Sequence, residues 1–147
     1  MIEYTVQVYD SGTREWWLNG KRHRKDGPAI EYANGDRYWY LNDKYHREDG
    51  PAIENADGSR CWYLNGKRHR IDGPAIERSD GNRYWYLNGQ LHREDGPAVE
   101  WHTGSRQWFL NDVEYTEEEF IKKTVGVREL TVAEIEALLG YAVKVVK

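Results

Sequence analysis

The sequence predicts a mainly β protein: a single antiparallel meander or solenoid sheet of repeated β-hairpins with a small C-terminal α+β cap. Three observations lead there. A residue pattern returns every 23 positions, each unit holds two strand signals separated by turn residues, and the flanks leave the pattern. Arg14, Arg37, Arg60, Arg83 and Arg106 mark the period, and Trp16, Trp39, Trp62, Trp85 and Trp108 follow it without an insertion. The unit reads Arg-x-Trp-aromatic-Leu-Asn-Gly-x-x-His-Arg-x-Asp-Gly-Pro-Ala-Ile-Glu, closing on a short segment that ends in Gly and one variable residue.

Taken in order, residues 1–13 form an N-terminal capping strand, with Ile2 to Tyr9 as its extended part. Residues 14–111 form the repeat array, four full copies over 14–105 and a partial fifth that decays after Asn111. In the first copy, strand one is Arg14 to Leu18. It stops at Asn19-Gly20, repeated at Asn65-Gly66 and Asn88-Gly89, because these residues tolerate the positive φ of tight hairpin turns. Asn42-Asp43 and Asn111-Asp112 are weaker versions. A wide turn over 20–28 ends in Asp-Gly-Pro, where proline lacks an amide donor and restricts the glycine before it. Strand two, Ala29 to Tyr32, then runs to the turn at Asn34-Gly35.

Residues 112–147 form the C-terminal cap, with two short helices and a final strand. Thr116 with Glu119 is a capping box that opens the first helix. Thr131 with Glu134 opens a second, with Val132, Ile135, Leu138 and Leu139 on one face and Gly140 as its stop. Tyr141 to Val146 alternates and is the expected strand. Caps of this kind protect the open edge and half-core that a terminal repeat would expose.

Leu, Ile, Val and Phe make up only about a fifth of the 147 residues, near the composition of disordered chains. Seven Trp and eleven Tyr reverse that expectation, since each ring can bury roughly 150–250 Å². The net charge of −4 excludes a strongly basic nucleic-acid binder, and residues 14–105 hold 15 basic and 15 acidic side chains, so extended nucleic acid meets no continuous positive field. No apolar run approaches the ~20 residues of a bilayer span, which argues against a membrane partner. A lone cysteine, Cys61, and a start without a secretion signal point to a reducing, cytoplasmic setting.

Alternation along strand one places Arg14, Trp16 and Leu18 on one sheet face and Glu15, Trp17 and Asn19 on the other. Both faces therefore carry aromatic rings. The Trp face, joined by Ile30, Ile53, Ile76 and Val99, is expected to be the packed side. The second face carries Trp17, Tyr40, Tyr63, Tyr86 and Phe109, widened by Tyr38 and Tyr84 in alternate copies. Flanked by Arg37, Arg60 and Arg83, it is the candidate binding surface.

Equivalent residues lie about 10 Å apart, two strand spacings, so His23, His46, His69 and His92 cannot share one metal ion. A His-Arg-x-Asp set that occurs four times in a turn is also a poor catalytic constellation, and no enzyme or cofactor is expected. Its His and Asp are expected to hydrogen-bond within the wide turn, and the Arg ladder to pair with Glu31, Glu54, Glu77 and Glu100 on adjacent strands. A unique site belongs where the copies differ: positions 15, 38, 61, 84 and 107; 22, 45, 68 and 91; and 32, 55, 78 and 101. Repeats two and four share Arg-Tyr-Trp-Tyr-Leu-Asn, consistent with a 46-residue superperiod.

The Trp-Tyr-Leu-Asn-Gly and Asp-Gly-Pro-Ala-Ile-Glu segments over about 14–111 resemble a divergent form of the MORN repeat family, which implies tandem β-hairpins. The glycine-rich MORN core is replaced here by Asp-Gly-Pro-Ala, as at Asp49 to Ala52, so lipid binding does not carry over. Arrays with His-Arg-Glu-Asp-Gly-Pro-Ala and a tail like Glu114 to Phe120 are similar to small uncharacterised proteins of tailed bacteriophages. That resemblance implies a phage protein in the host cytoplasm that blocks a host defence or metabolic protein. The expected function is non-enzymatic binding of a protein partner. Two alternatives stay open: sequestration of a nucleotide-like ligand stacked on Tyr40, Tyr63 or Tyr86 with its phosphate on arginine, and self-association into a homo-oligomer.

Overall fold

The computed structural model describes residues 1–125 together with Ala133, Glu136, Ala137 and Gly140. Most of the expected second helix from Thr131, and all of the final strand Tyr141 to Val146, lie outside the described residues.

The chain enters through β1 (Thr5–Val8), which pairs antiparallel with β2 (Arg14–Leu18). Next come β3 (Lys21–Arg22) and β4 (Ile30–Glu31), and the pattern returns in copies two to four with the first strand divided around its tryptophan, as Arg37–Tyr38 and Tyr40–Leu41. The principal sheet has twelve strands: β2 lies between β1 and β4, the strands at Arg37, Arg60 and Arg83 each lie between two Ile/Val-Glu strands, and Arg106–Leu110 and Val113–Tyr115 end it. A helix, α1 (Glu117–Thr124), follows with the expected capping box at Thr116 and Glu119 and buries Phe120. Among the described residues no helix is long and apolar enough to cross a membrane.

Each full unit holds an additional return strand, such as β3, between the two that were expected. Asn19 and Gly20 both adopt positive φ, 51° and 74°, and the chain reverses within those two residues so that Leu18 faces Lys21. A turn with two left-handed residues matches the twist of its flanking strands and starts the return strand at once. The expected wide turn therefore begins with β3. Where Asp43 and Asp112 replace glycine, their carboxylates accept hydrogen bonds from the Arg22 and Leu91 amides of the preceding copy, at 2.8 and 2.7 Å.

Within each unit one arginine joins the parts. The Arg47 guanidinium lies 4.0 Å from the Trp39 ring centroid, while Nε donates to Asp49 at 2.8 Å and Nη1 to the Pro51 carbonyl at 3.2 Å and Glu54 at 2.9 Å. Gly50 closes the other side: a Cβ there would sit 3.0 Å from Arg47 Cζ. Arg24, Arg70 and Arg93 repeat this arrangement over Trp16, Trp62 and Trp85. With its rim bonded and both faces covered, the guanidinium fixes the Asp-Gly-Pro loop against the strand, and Ala29, Ala52, Ala75 and Ala98 are fully buried beside it. Each of these alanine carbonyls accepts from the tryptophan amide of its own repeat at 2.8 Å.

Two expectations about these side chains change. The Arg-Glu register is as expected, with Arg37 opposite Glu31 and Glu54, yet Glu31, Glu54, Glu77 and Glu100 bind the turn arginines at 2.9–3.3 Å. Of the strand arginines only Arg14 comes within 4 Å of its glutamate, at 3.8 Å, among the described residues. The turn arginine wins because tryptophan and glycine hold its guanidinium in place, whereas the strand arginines extend into solvent. Histidine, for its part, reaches outside its own turn. His46 Nδ1 accepts the Asn65 amide at 3.0 Å, and His23, His69 and His92 do the same for Asn42, Asn88 and Asn111. These contacts tie each unit to the next, and His23 and His46 Nδ1 also lie 2.9 and 3.1 Å from the Oδ1 of the same asparagines.

The face assignment also changes. Ile30 lies directly opposite Glu15 and Tyr38, and Ile53 opposite Tyr38 and Cys61. Directly opposed residues point to the same side of a sheet, so the Ile/Val ladder belongs to the Tyr face and not to the Trp face. The buried cluster is there as well: Ile30 and Tyr40, with Tyr38 and Tyr45 packed against them.

The arginine clip generates two predictions. Arg47→Lys keeps the charge but loses the planar fork, and is expected to lower unfolding free energy by about 2–3 kcal/mol in denaturant titrations. Gly73→Ala, which presses a methyl on the pinned Arg70, is expected to cost about 1–3 kcal/mol. Hydrogen bonds from Arg47, Arg70 and Arg93 hold the Asp49, Asp72 and Asp95 carboxyls below the usual range. That stabilisation is complete above the unfolded-state value near 4 and is lost as pH falls through the lowered native values. Thermal melts from pH 6 to 2 should show this loss, and it should shrink when all three aspartates become Asn.

Candidate binding surface

Two faces with different chemistry result. The first presents the Trp-Arg clips and the Arg-Glu ladder, built from residues that hardly change between copies. Three open grooves lie along it, of about 680, 530 and 700 Å³ in chain order. In the first groove, Arg24 to Pro28 of one copy oppose Trp39, Leu41, His46 and Arg47 of the next. The polar groups here are largely committed to neighbours within the protein.

The second face collects the positions that differ. Register places 15, 38, 61, 84 and 107 beside the Ile/Val ladder, and 22, 45 and 68 opposite the aromatic residues Trp17, Tyr40 and Tyr63. The third set touches the first: the Tyr32 and Tyr38 rings are 5.0 Å apart, and Tyr84 and Trp101 are 5.6 Å apart. A fourth set of differences, Lys25, Glu48, Ile71 and Glu94, falls in the wide turns and lines the grooves of the first face.

The structure gathers the predicted aromatic residues on this face. Trp17, Tyr38, Tyr63, Tyr84, Tyr86 and Phe109 are half-buried, and Tyr40 is buried. Tyr40 stacks on Tyr45 with centroids 4.3 Å apart, and Tyr45 lies 5.1 Å from Tyr63. Burial, together with the hydrogen bond to Tyr45, pushes the Tyr40 phenol pKa up, so it stays neutral. Tyr40 is thus the core of the face, while Tyr32 and Trp101, each 37% exposed, are its outward rings.

Arg37, Arg60 and Arg83 do not flank the aromatic set. Each is exposed and directly opposite a glutamate, while the next residue, Tyr38, Cys61 or Tyr84, is the one aligned with the Ile/Val ladder. One residue along a strand reverses the face, which is why proximity in sequence misplaced them. The arginines of the aromatic face are Arg22, Arg68 and Arg78. Arg22 lies 5.0 Å from the Trp17 ring and 3.6 Å from Glu15, a carboxylate only 7% exposed. Arg68 donates to the Tyr63 hydroxyl at 3.2 Å and lies 5.3 Å from the Tyr86 ring. Their signal in the sequence is membership of the variable sets at 22 and 32.

Cys61 sits half-buried at the centre. Burial pushes its thiol pKa up, and Arg68 and Arg78 pull against that rise. Comparison with models of known families and with curated proteins gives no match to this chain.

The pH profile of Cys61 alkylation by iodoacetamide should therefore have its midpoint above that of the urea-unfolded chain. Replacing Arg68 and Arg78 should move it higher still. A native midpoint at or below the unfolded one would contradict this placement of the thiol.

Proposed function

We propose that the protein is a non-enzymatic binding scaffold whose variable, tyrosine-rich face engages a protein partner. One observation carries the reading: the three strand-associated sets of positions that differ between copies converge on one face. Repetition of the opposite face serves the fold, since its Trp, Arg, Asp and Glu side chains bond to one another. A face of half-buried tyrosines with outward rings at Tyr32 and Trp101 suits association, because such rings offer large rigid contact area at low entropic cost. The resemblance to small bacteriophage proteins fits a partner in the host, such as a defence or metabolic protein.

Sequestration of a nucleotide-like ligand is the second reading, favoured by one contact, the Arg68 guanidinium lying within 6.0 Å of both the Tyr63 and Tyr86 rings.

Affinity capture from host lysate tests the first reading. A variant with Tyr32→Ser, Tyr63→Ser and Trp101→Ser is expected to lose the captured protein while keeping its circular dichroism. A variant with Arg37→Ala and Arg83→Ala on the opposite face is expected to retain it. The reverse pattern would move binding to the Trp face. Mass spectrometry of small molecules released from the native protein, with a nucleotide thermal-shift screen, tests the second.

A further inference from the structure

Across the middle of the variable face the register runs Tyr38, Ile53, Cys61, Ile76, Tyr84, each residue opposite the next. Cys61 stands where the copies on either side carry tyrosine, so the surface lacks one phenol ring at its centre. The effect shows at the neighbouring aliphatics. Ile30 and Val99, in the outer copies, are 2% and 3% exposed, whereas Ile53 and Ile76 are only half-buried. Their common neighbour, Cys61, is too short to cover them. This half-buried stretch of Ile53, Cys61 and Ile76, one ring short of its neighbours, is the hollow, about 10 Å from a tyrosine on either side along the sheet.

Its rims are cationic. Arg68 stands on the hairpin side, beside Tyr63 and Tyr86. Arg78 follows Ile76 by two residues on the opposite side and is exposed. Arg68 pairs with Tyr63, two residues after Cys61, and Arg78 follows the Ile76 that pairs with Cys61, so the two lie to either side of the thiol. Neither has a carboxylate within 4 Å among the described residues, in contrast to Arg22, which faces Glu15. Asn55, the counterpart of Arg78 one copy earlier, carries a buried Oδ1 without a hydrogen-bond partner. Two cations without a carboxylate within 4 Å among the described residues and an unsatisfied amide thus border the half-buried isoleucines.

We propose that this hollow is the anchor point for the protein partner, and that it takes an aromatic side chain flanked by carboxylates. The ring takes the place of the missing phenol over Ile53, Cys61 and Ile76, and the carboxylates pair with Arg68 and Arg78. This rests on the reading of the variable face as a protein-binding surface. A space one side chain wide, encircled by tyrosines that exclude water, has the anatomy of an interface hot spot, whereas a free small ligand requires a deeper enclosure.

The repeat itself supplies substitutions that suit the fold. Cys61→Tyr installs the residue of copies two and four, and Arg68→Leu with Arg78→Asn installs those at Leu91 and Asn55. A random peptide library displayed and selected on the unmodified protein should enrich sequences that place Phe, Tyr or Trp next to Asp or Glu. The enriched peptides should bind each variant at least about tenfold more weakly and should protect Cys61 from iodoacetamide. Enrichment of basic or purely polar sequences, equal binding to Cys61→Tyr, displacement by nucleotides, or no enrichment would each overturn the proposal. If Cys61→Tyr keeps the lysate partner while the Tyr32, Tyr63 and Trp101 variant loses it, the binding face stands and the anchor point falls.

Discussion

A guanidinium covered by an indole ring on one side and a glycine on the other holds each of the four full units of this protein together. Its hydrogen bonds reach the aspartate and proline carbonyl of one loop and the glutamate of the following strand, so one side chain closes the segment between two turns. The units contain strands of mostly two residues, too short to persist alone, and the arginine substitutes for the long ladder they lack. Glycine in the Asp-Gly-Pro loop serves proximity here, since the side chain it omits would occupy the space of the arginine.

Between units the bonds are of another kind. The Arg24 amide donates to the Tyr40 carbonyl, the Asn42 amide to His23, and short polar side chains at Asp36, Ser59 and Asn82 accept amides at Ala56, Ser79 and His102 of the following copy. Each unit therefore completes its neighbour's hydrogen bonding, the nearest-neighbour coupling of a repeat protein. These contacts use backbone, the recurring histidine, or a position where Asp36, Ser59 and Asn82 differ but each supplies an acceptor oxygen, so the variable positions of the aromatic face lie outside them.

Much of this was legible before any coordinates. A 23-residue period announces a repeat, and paired residues tolerant of positive φ announce the turns; Asn65-Gly66 and Asn88-Gly89 adopt that geometry. The capping box at Thr116 likewise marks a helix start whose geometry depends on three consecutive peptide units. The faces were harder. Alternation along one strand sorted Trp16 from Trp17 correctly, but which face received Ile30 depended on how β4 sits against β2, a register that a long loop conceals. The partner of Glu54 was misjudged for the same reason, because Arg47 lies seven residues away along the chain yet reaches it across a folded loop.

The amino-acid sequence by itself determined the repeat period, its turns, the leading strand, the start of the helix at Thr116 and the list of positions where a unique site could lie. All of these are local, encoded in spacing, backbone preference and recurrence. Only the tertiary structure decided that the variable positions share a face with the isoleucine ladder, that Arg22, Arg68 and Arg78 join them while Arg37, Arg60 and Arg83 do not, and that Cys61 leaves its neighbours uncovered. Those facts follow from cross-strand register, in which a shift of one residue moves a side chain to the other side of the sheet.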